Sequence, residues 1–170
     1  MTPTEPTESA AAKPPLITPT FVLAWVANFC QFLVFYLFVT TMALYAVESF
    51  GASDTVGGFA SSAFVLGATC MRVFSGWIVD RVGHKKAALT SLAFVTLVAV
   101  AYFFAHNVAV LIIVRMVHGA GYALTSTALM AVAQSVIPHE RRAEGTGYFA
   151  LGTTLATAFG PAIGLLLANN

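Results

Sequence analysis

The chain has 170 residues, of which 58% are hydrophobic and only 9% are charged. Water-soluble domains carry about 25% charged residues, so this composition excludes a soluble globular domain. It also excludes intrinsic disorder, which requires low hydrophobicity and a high net charge. The net charge of +1 provides no basic surface for nucleic acid, so no nucleic-acid partner is expected. Cys30 and Cys70 lie in apolar stretches and predict neither a disulfide scaffold nor a metal site.

Residues 1–20 differ in composition from the rest of the chain. Thr, Pro, Glu, Ala and Ser dominate them, and Lys13 is their single basic residue. This composition is typical of a short disordered tail. A secretory signal peptide is the alternative, but the apolar run that follows is longer than a signal core and the tail is not basic. We therefore expect a disordered tail, which the orientation given below places in the cytoplasm.

Five apolar stretches follow the tail, and each has the length, about 20 residues, of a helix that crosses a bilayer. They cover residues 21–46, 57–79, 87–105, 108–136 and 145–168. The pattern predicts an all-α polytopic membrane protein, with residues 21–170 forming one transmembrane domain in contact with the lipid bilayer. Helix ends are the least certain part of such an assignment.

The basic residues between the spans predict the orientation, because cytoplasmic connections carry an excess of Lys and Arg. If the N-terminus is cytoplasmic, the inner segments hold six Lys and Arg residues and the outer segments hold none. The six are Lys13, Arg81, Lys85, Lys86, Arg141 and Arg142. We therefore expect a multi-pass protein of the cell membrane (plasma or inner membrane) with its N-terminus in the cytoplasm.

The connection between the second and third spans carries the most specific motif. Residues 76–86 read GWIVDRVGHKK. Gly76 would let another helix approach closely, and Gly83 permits the positive φ of a tight turn. The string resembles the signature loop of the major facilitator superfamily, G-x-x-x-D-R-x-G-[RK]-[RK], with His84 at the first basic place.

This resemblance implies that the loop belongs to the gate that controls conformational change. The residues concerned are Gly76, Asp80, Arg81, Gly83, Lys85 and Lys86. Arg72 lies on the same helical stripe, four residues before Gly76 and eight before Asp80. We assign Arg72 to this gate and not to substrate binding. A local ion-pair network is the alternative, and the two interpretations are compatible.

Two shorter motifs support the resemblance. Residues 115–123, RMVHGAGYA, resemble the family's fourth-helix motif R-x-x-Q-G-x-G, with His118 in place of the amide. Residues 160–164, GPAIG, are similar to the G-P-x-x-G element of members that run as antiporters, mostly exporters. The resemblance implies the first five helices of a twelve-helix fold, similar to a drug–proton antiporter. It also implies a C-terminal half as a partner.

Polar residues in the first and fourth spans are predicted to meet near the membrane midplane. Asn28 and Gln31 share one face of the first span, and Arg115, His118 and Tyr122 share one face of the fourth. Polar groups at this depth normally face the bundle interior, where transporter sites lie. We assign all five to a substrate or coupling site. The alternative is structural: hydrogen bonds between helices, with Arg115 held by backbone carbonyls.

Small residues recur every four positions in the fifth span, at Gly152, Ala156, Gly160 and Gly164. Such a ribbon lets two helices approach closely, and Pro161 can kink the helix. We interpret it as a helix-packing motif. Since the fifth helix of this family faces the opposite half of the transporter, we expect the ribbon to face lipid or a partner chain. Generic packing within the bundle is the alternative.

The resemblance implies secondary active transport of a small molecule, and proton-coupled efflux by alternating access is the first hypothesis. The spans contain no Asp or Glu, so His118 or a group elsewhere would have to carry the proton. Uptake of a nutrient such as a sugar is one alternative. A half-transporter that acts as a membrane interaction or regulatory subunit is another, and the odd number of spans favours a fragment of a longer protein.

The sequence carries no sign of an enzyme. Its four histidines show neither H-E-x-x-H nor a spacing with paired carboxylates. We therefore expect no catalytic residues, no metal and no cofactor.

Overall fold

The computed structural model describes residues 14–168. Residues 1–13, which make up most of the predicted tail and include Lys13, lie outside the described residues. Five helices in the described range are long and apolar enough to cross a membrane. They are α1 (Pro19–Phe50), α2 (Asp54–Val82), α3 (His84–Ala101), α4 (Val108–Val136) and α5 (Arg142–Ala168). The predicted all-α fold of a multi-pass membrane protein is confirmed.

Capping residues and glycines set the helix ends. Thr18, Ser53 and Asn107 precede α1, α2 and α4, and each side chain accepts a hydrogen bond from the backbone N–H three residues later. Gly51 ends α1 with φ 63° and Gly83 ends α2 with φ 92°, values that glycine adopts without strain. Most helices run a few residues past the predicted apolar stretches. The capping residues set where a helix ends, whereas the bilayer covers only its apolar part.

The closest helix pair is α2 with α4, and two glycines make the approach possible. A Cβ added to Gly67 would lie 1.9 Å from the carbonyl oxygen of Met116, and one added to Gly119 would lie 1.9 Å from that of Phe64. No side chain fits in either place. The two glycines therefore bring the backbones of α2 and α4 into direct contact, as small residues do between membrane helices.

The small-residue ribbon of α5 packs against α1. A Cβ on Gly152 would lie 3.1 Å from the ring of Trp25, and one on Gly160 would lie 2.6 Å from the Cβ of Tyr36. A Cβ on Gly164 would lie 2.9 Å from the carbonyl oxygen of Leu37, which is also on α1. The expectation that this ribbon faces lipid or a partner chain is therefore wrong. Because its residues are small, α5 packs closely against α1 of the same chain.

Pro161 lies inside α5, directly after Gly160, and the helix continues past it to Ala168. The outer surface of the bundle is apolar: Trp77, Leu89 and Phe103 are 64%, 70% and 84% exposed. Large apolar surfaces are rare on soluble monomers. They suit contact with lipid, which agrees with the five membrane-spanning helices.

Candidate functional site

The loop after α2 displays its charges at the surface. The Asp80 side chain is 82% exposed and its Oδ1 lies 4.0 Å from Nε2 of His84. The guanidinium of Arg81 lies over the ring of Trp77, 5.5 Å from its centroid. Lys85 and Lys86 are exposed at the start of α3.

Gly76 faces open space. A Cβ added there would meet nothing within 4 Å, so no helix within residues 14–168 makes the close approach that the sequence predicted. No ion pair joins Asp80 to Arg72 within residues 14–168, where the partner of Asp80 at 4.0 Å is His84. The assignment of the loop residues to a gate stays a prediction.

Arg115 is held by the backbone of α2. Its Nη2 donates a 2.7 Å hydrogen bond to the carbonyl oxygen of Ser61, and its Nε donates to that of Ala60 at 3.4 Å. The guanidinium carbon also lies 4.9 Å from the ring centroid of Phe64, a cation–π distance. The residue is 0% exposed. Backbone carbonyls thus accept from Nη2 and Nε, as the structural alternative expects, whereas the buried Nη1 has no hydrogen-bond partner among the described residues.

His118 is bonded to a residue that the sequence did not single out. Its Nδ1 lies 3.0 Å from the hydroxyl of Tyr102, which follows the C-terminal end of α3. Phe64 packs edge-on against the imidazole, with the ring centroids 5.4 Å apart. A tyrosine at the end of an apolar helix is common at membrane interfaces, so spacing alone does not reveal that Tyr102 reaches a histidine of another helix.

Gln31 and Tyr122 connect α1 with α4. The Nε2 of Gln31 donates a 2.8 Å hydrogen bond to the carbonyl oxygen of Tyr122. The Tyr122 ring packs against Phe32, Phe35 and Phe64, with centroid distances of 5.3, 5.3 and 5.1 Å. Gln31, His118 and Tyr122 line one largely apolar cavity of about 280 Å³ between α1, α3 and α4.

A second cavity, of about 500 Å³, is bounded by α1, α2, α4 and α5. We call it the four-helix cavity. Its polar lining consists of Asn28, Arg72, Ser126, Thr127, Thr153 and Thr154. The five predicted site residues are thus divided: Asn28 lines the four-helix cavity, three residues line the smaller one, and Arg115 lines neither.

The polar lining of the four-helix cavity lies at one depth. Asn28, Arg72, Thr127 and Thr153 are each about ten residues from the cytoplasmic end of their helix under the predicted orientation. At 1.5 Å per residue this is roughly 15 Å from the helix end, about a third of the length of these helices, which have 27–32 residues. The hydroxyl of Thr153 accepts from Nδ2 of Asn28 at 3.4 Å, which joins α1 to α5 at this level.

Arg72 lines the four-helix cavity, and its assignment to the gate stays a prediction. Arg72 and Asp80 are eight positions apart, about 12 Å along the helix axis, and the side chain of Arg72 turns to the opening between the helices. A charged group inside a membrane helix normally faces such an opening. Within residues 14–168 no three His, Cys, Asp or Glu side chains form a group that could hold a metal ion.

Comparison with known proteins gives a consistent result. Residues 24–170 match the family model described as Major Facilitator Superfamily. The chain is 30% identical over 122 residues to the staphylopine export protein of Staphylococcus aureus, covering 71% of this chain and 30% of that protein. It is 30% identical over 153 residues to the multi-drug resistance efflux pump PmrA of Streptococcus pneumoniae, covering 86% of this chain and 37% of that protein.

An uncharacterized protein of Mycobacterium tuberculosis is 34% identical over 89 residues, which is 52% of this chain and 21% of that protein. The chain thus spans about a third, or less, of the length of the curated relatives that it matches.

Proposed function

The chain belongs to the major facilitator superfamily, a family of transporters and not of enzymes, and on that basis we propose that it forms part of a secondary active transporter that exports a small molecule. The four-helix cavity carries this proposal. Four helices bring polar side chains to the same level inside the membrane around an opening large enough for a small molecule. Binding sites of secondary transporters lie between helices inside the bilayer, near its midplane.

Export is favoured over uptake by two observations. The GPAIG sequence of residues 160–164 resembles the element of antiporting members. The two relatives whose names state a function are an export protein and an efflux pump. These names belong to proteins about three times as long as the matched region, so export by this protein is our proposal.

We further propose that protons drive the transport and that His118 takes part. His118 is buried within α4, its Nδ1 is bonded to Tyr102, and one side of the ring borders the smaller cavity. Histidine changes its charge near neutral pH. No Asp or Glu lies in the interior of the described spans, so we assign the exchange of the proton to this imidazole.

The transport cycle that we propose is alternating access between two helical bundles. The exposed loop residues Asp80 and Arg81, with the open face at Gly76, would meet a C-terminal half of the transporter. The same half would cover the four-helix cavity. The N-terminus would be cytoplasmic and the protein would lie in the cell membrane.

The proposal can be tested in inverted membrane vesicles from cells that express the gene containing this chain. Respiration acidifies the vesicle interior, and a fluorescent amine reports the pH gradient. We expect at least one member of a panel of cationic, neutral and anionic aromatic compounds to dissipate the gradient in these vesicles but not in empty ones. If no compound does so although the protein is present in the membrane, proton-coupled export is contradicted.

The variant Asp80→Asn removes the loop carboxylate, and we expect it to abolish this response. Arg142→Gln is the matched control, because Arg142 is an exposed charge of the other cytoplasmic connection and has no part in the proposed gate.

A further inference from the structure

We propose that the four-helix cavity binds an amphiphilic small molecule through a carboxylate, and that Arg72 is the residue that recognises it. This inference rests on the proposed transport function and names the substrate class. It begins with the position of Arg72, which lines the cavity about ten residues from the end of α2, inside the apolar span.

The cavity has a positive charge without a negative one. None of the acidic residues in the described range lines it. Glu48, Asp54, Asp80, Glu140 and Glu144 all lie at helix ends or in connections. An anion that enters the cavity would therefore meet the guanidinium of Arg72 with no competing carboxylate on these four walls.

The two membrane arginines differ in how their charge is satisfied. Arg115 is 0% exposed and donates to the carbonyl oxygens of Ala60 and Ser61. The side chain of Arg72 is exposed to the cavity and makes no hydrogen bond or ion pair with another residue of the described range. Its donors therefore remain available. A guanidinium presents two parallel N–H groups that match the two oxygens of a carboxylate.

The remaining lining of the cavity suits an aromatic or aliphatic body attached to that carboxylate. Phe32, Met130 and Phe149 supply apolar surface, and the hydroxyls of Ser126 and Thr154 supply weak polar contacts. The volume of about 500 Å³ lies within the range of sites for drug-sized ligands. The cavity therefore suits an amphiphile that carries one carboxylate.

The test compares 1-naphthoate with 1-naphthamide, two probes of the same shape that differ in charge. The full-length protein that contains this chain is purified into lipid nanodiscs, and binding is measured by equilibrium dialysis. We expect naphthoate to bind at least about tenfold more tightly than naphthamide, since hydrogen bonds to charged groups are worth this much. Arg72→Gln should remove the difference and Arg72→Lys should keep part of it.

Arg142→Gln is the matched control and should leave the preference for naphthoate unchanged. The circular dichroism spectrum shows whether each variant keeps its helices. If Arg72→Gln does not fold, Arg72→Lys and the unaltered protein still decide the matter. Equal binding of the two probes by the unaltered protein overturns the inference, and so does a preference for naphthoate that survives in Arg72→Gln.

The failure of this inference and that of the proposed function can be told apart. Proton-coupled transport of neutral or cationic compounds, without a preference for naphthoate, overturns the role of Arg72 and leaves the transport proposal intact. Binding of naphthoate that depends on Arg72, without transport of any compound, supports the recognition site and contradicts the transport proposal.

Discussion

Arg115 on α4 donates a 2.7 Å hydrogen bond from Nη2 to the carbonyl oxygen of Ser61 on α2. A charged side chain inside the bilayer costs at least about 2.5–3.5 kcal/mol on insertion scales. The carbonyl oxygens of α2 and the ring of Phe64 offset part of this cost. The contact therefore ties α2 to α4 beside their closest approach, while the assignment of Arg115 to a substrate or coupling site stays a prediction.

Removal of this guanidinium should weaken the α2–α4 contact. For Arg115→Ala we expect a loss of about 1–3 kcal/mol in the free energy of unfolding, because a buried hydrogen-bonded group is lost and a void is left. Arg115→Lys keeps the charge without the fork of donors, so its stability should be intermediate. Reversible unfolding in detergent micelles with increasing SDS measures both. A variant Arg115→Ala that is as stable as the unaltered protein, yet inactive in transport, would instead assign Arg115 to the transport site.

The glycine contact between α2 and α4 predicts a second effect. Gly67→Ala would place a methyl group 1.9 Å from the carbonyl oxygen of Met116. The helices would have to separate, and overpacking of this kind destabilises by about 1–3 kcal/mol. Gly58→Ala on the same helix meets nothing within 4 Å, so it should be neutral or slightly stabilising because alanine favours helix. Equal melting temperatures of the two variants would contradict the close packing.

The hydrogen bond between Tyr102 and His118 leads to a third prediction. Tyr102→Phe removes the hydroxyl that lies 3.0 Å from Nδ1, while the ring can remain in place. We expect a loss of about 0.5–1.5 kcal/mol in stability and a changed ratio of the two imidazole tautomers. Nitrogen-15 NMR of histidine-labelled protein measures the tautomer ratio of His118. An unchanged spectrum would mean that the hydroxyl does not hold the imidazole.

The predicted orientation can be checked with single cysteines. Cys30 and Cys70 are exposed and free, so both are first replaced by alanine. His106→Cys lies in the connection between α3 and α4, and Glu140→Cys lies in the connection between α4 and α5. We expect a membrane-impermeant maleimide added to intact cells to label His106→Cys and to leave Glu140→Cys unlabelled until the membrane is broken. The reverse pattern would place the N-terminus outside.

Much of the architecture could be predicted from the sequence, because a bilayer imposes a simple requirement on it. A run of about 20 apolar residues must form a helix so that its backbone groups are satisfied, and this requirement predicted the five helices now observed. The turn at Gly83 was predictable for a local reason as well, since its φ of 92° suits glycine. The motif around it indicated the family, which the match over residues 24–170 confirms.

The pairing of helix faces was harder to predict. Residue spacing shows that Gly152, Gly160 and Gly164 share a face, but it does not show which helix that face meets, and α1 was not expected. In the same way, spacing placed Arg72 and Asp80 on one stripe of α2. The two residues are about 12 Å apart along the helix axis, and Arg72 lines the cavity whereas Asp80 lies at the surface.

The sequence by itself determined the fold class and the number of membrane spans, because these depend on the apolar length of each segment alone. Only the tertiary structure decided that α5 packs on α1, that α2 carbonyls hold Arg115, and that Arg72 lines the four-helix cavity. These facts depend on the rotation and depth of each helix against its neighbours. Close packing between residues far apart in the chain sets both quantities, and the pattern along a single helix does not contain them.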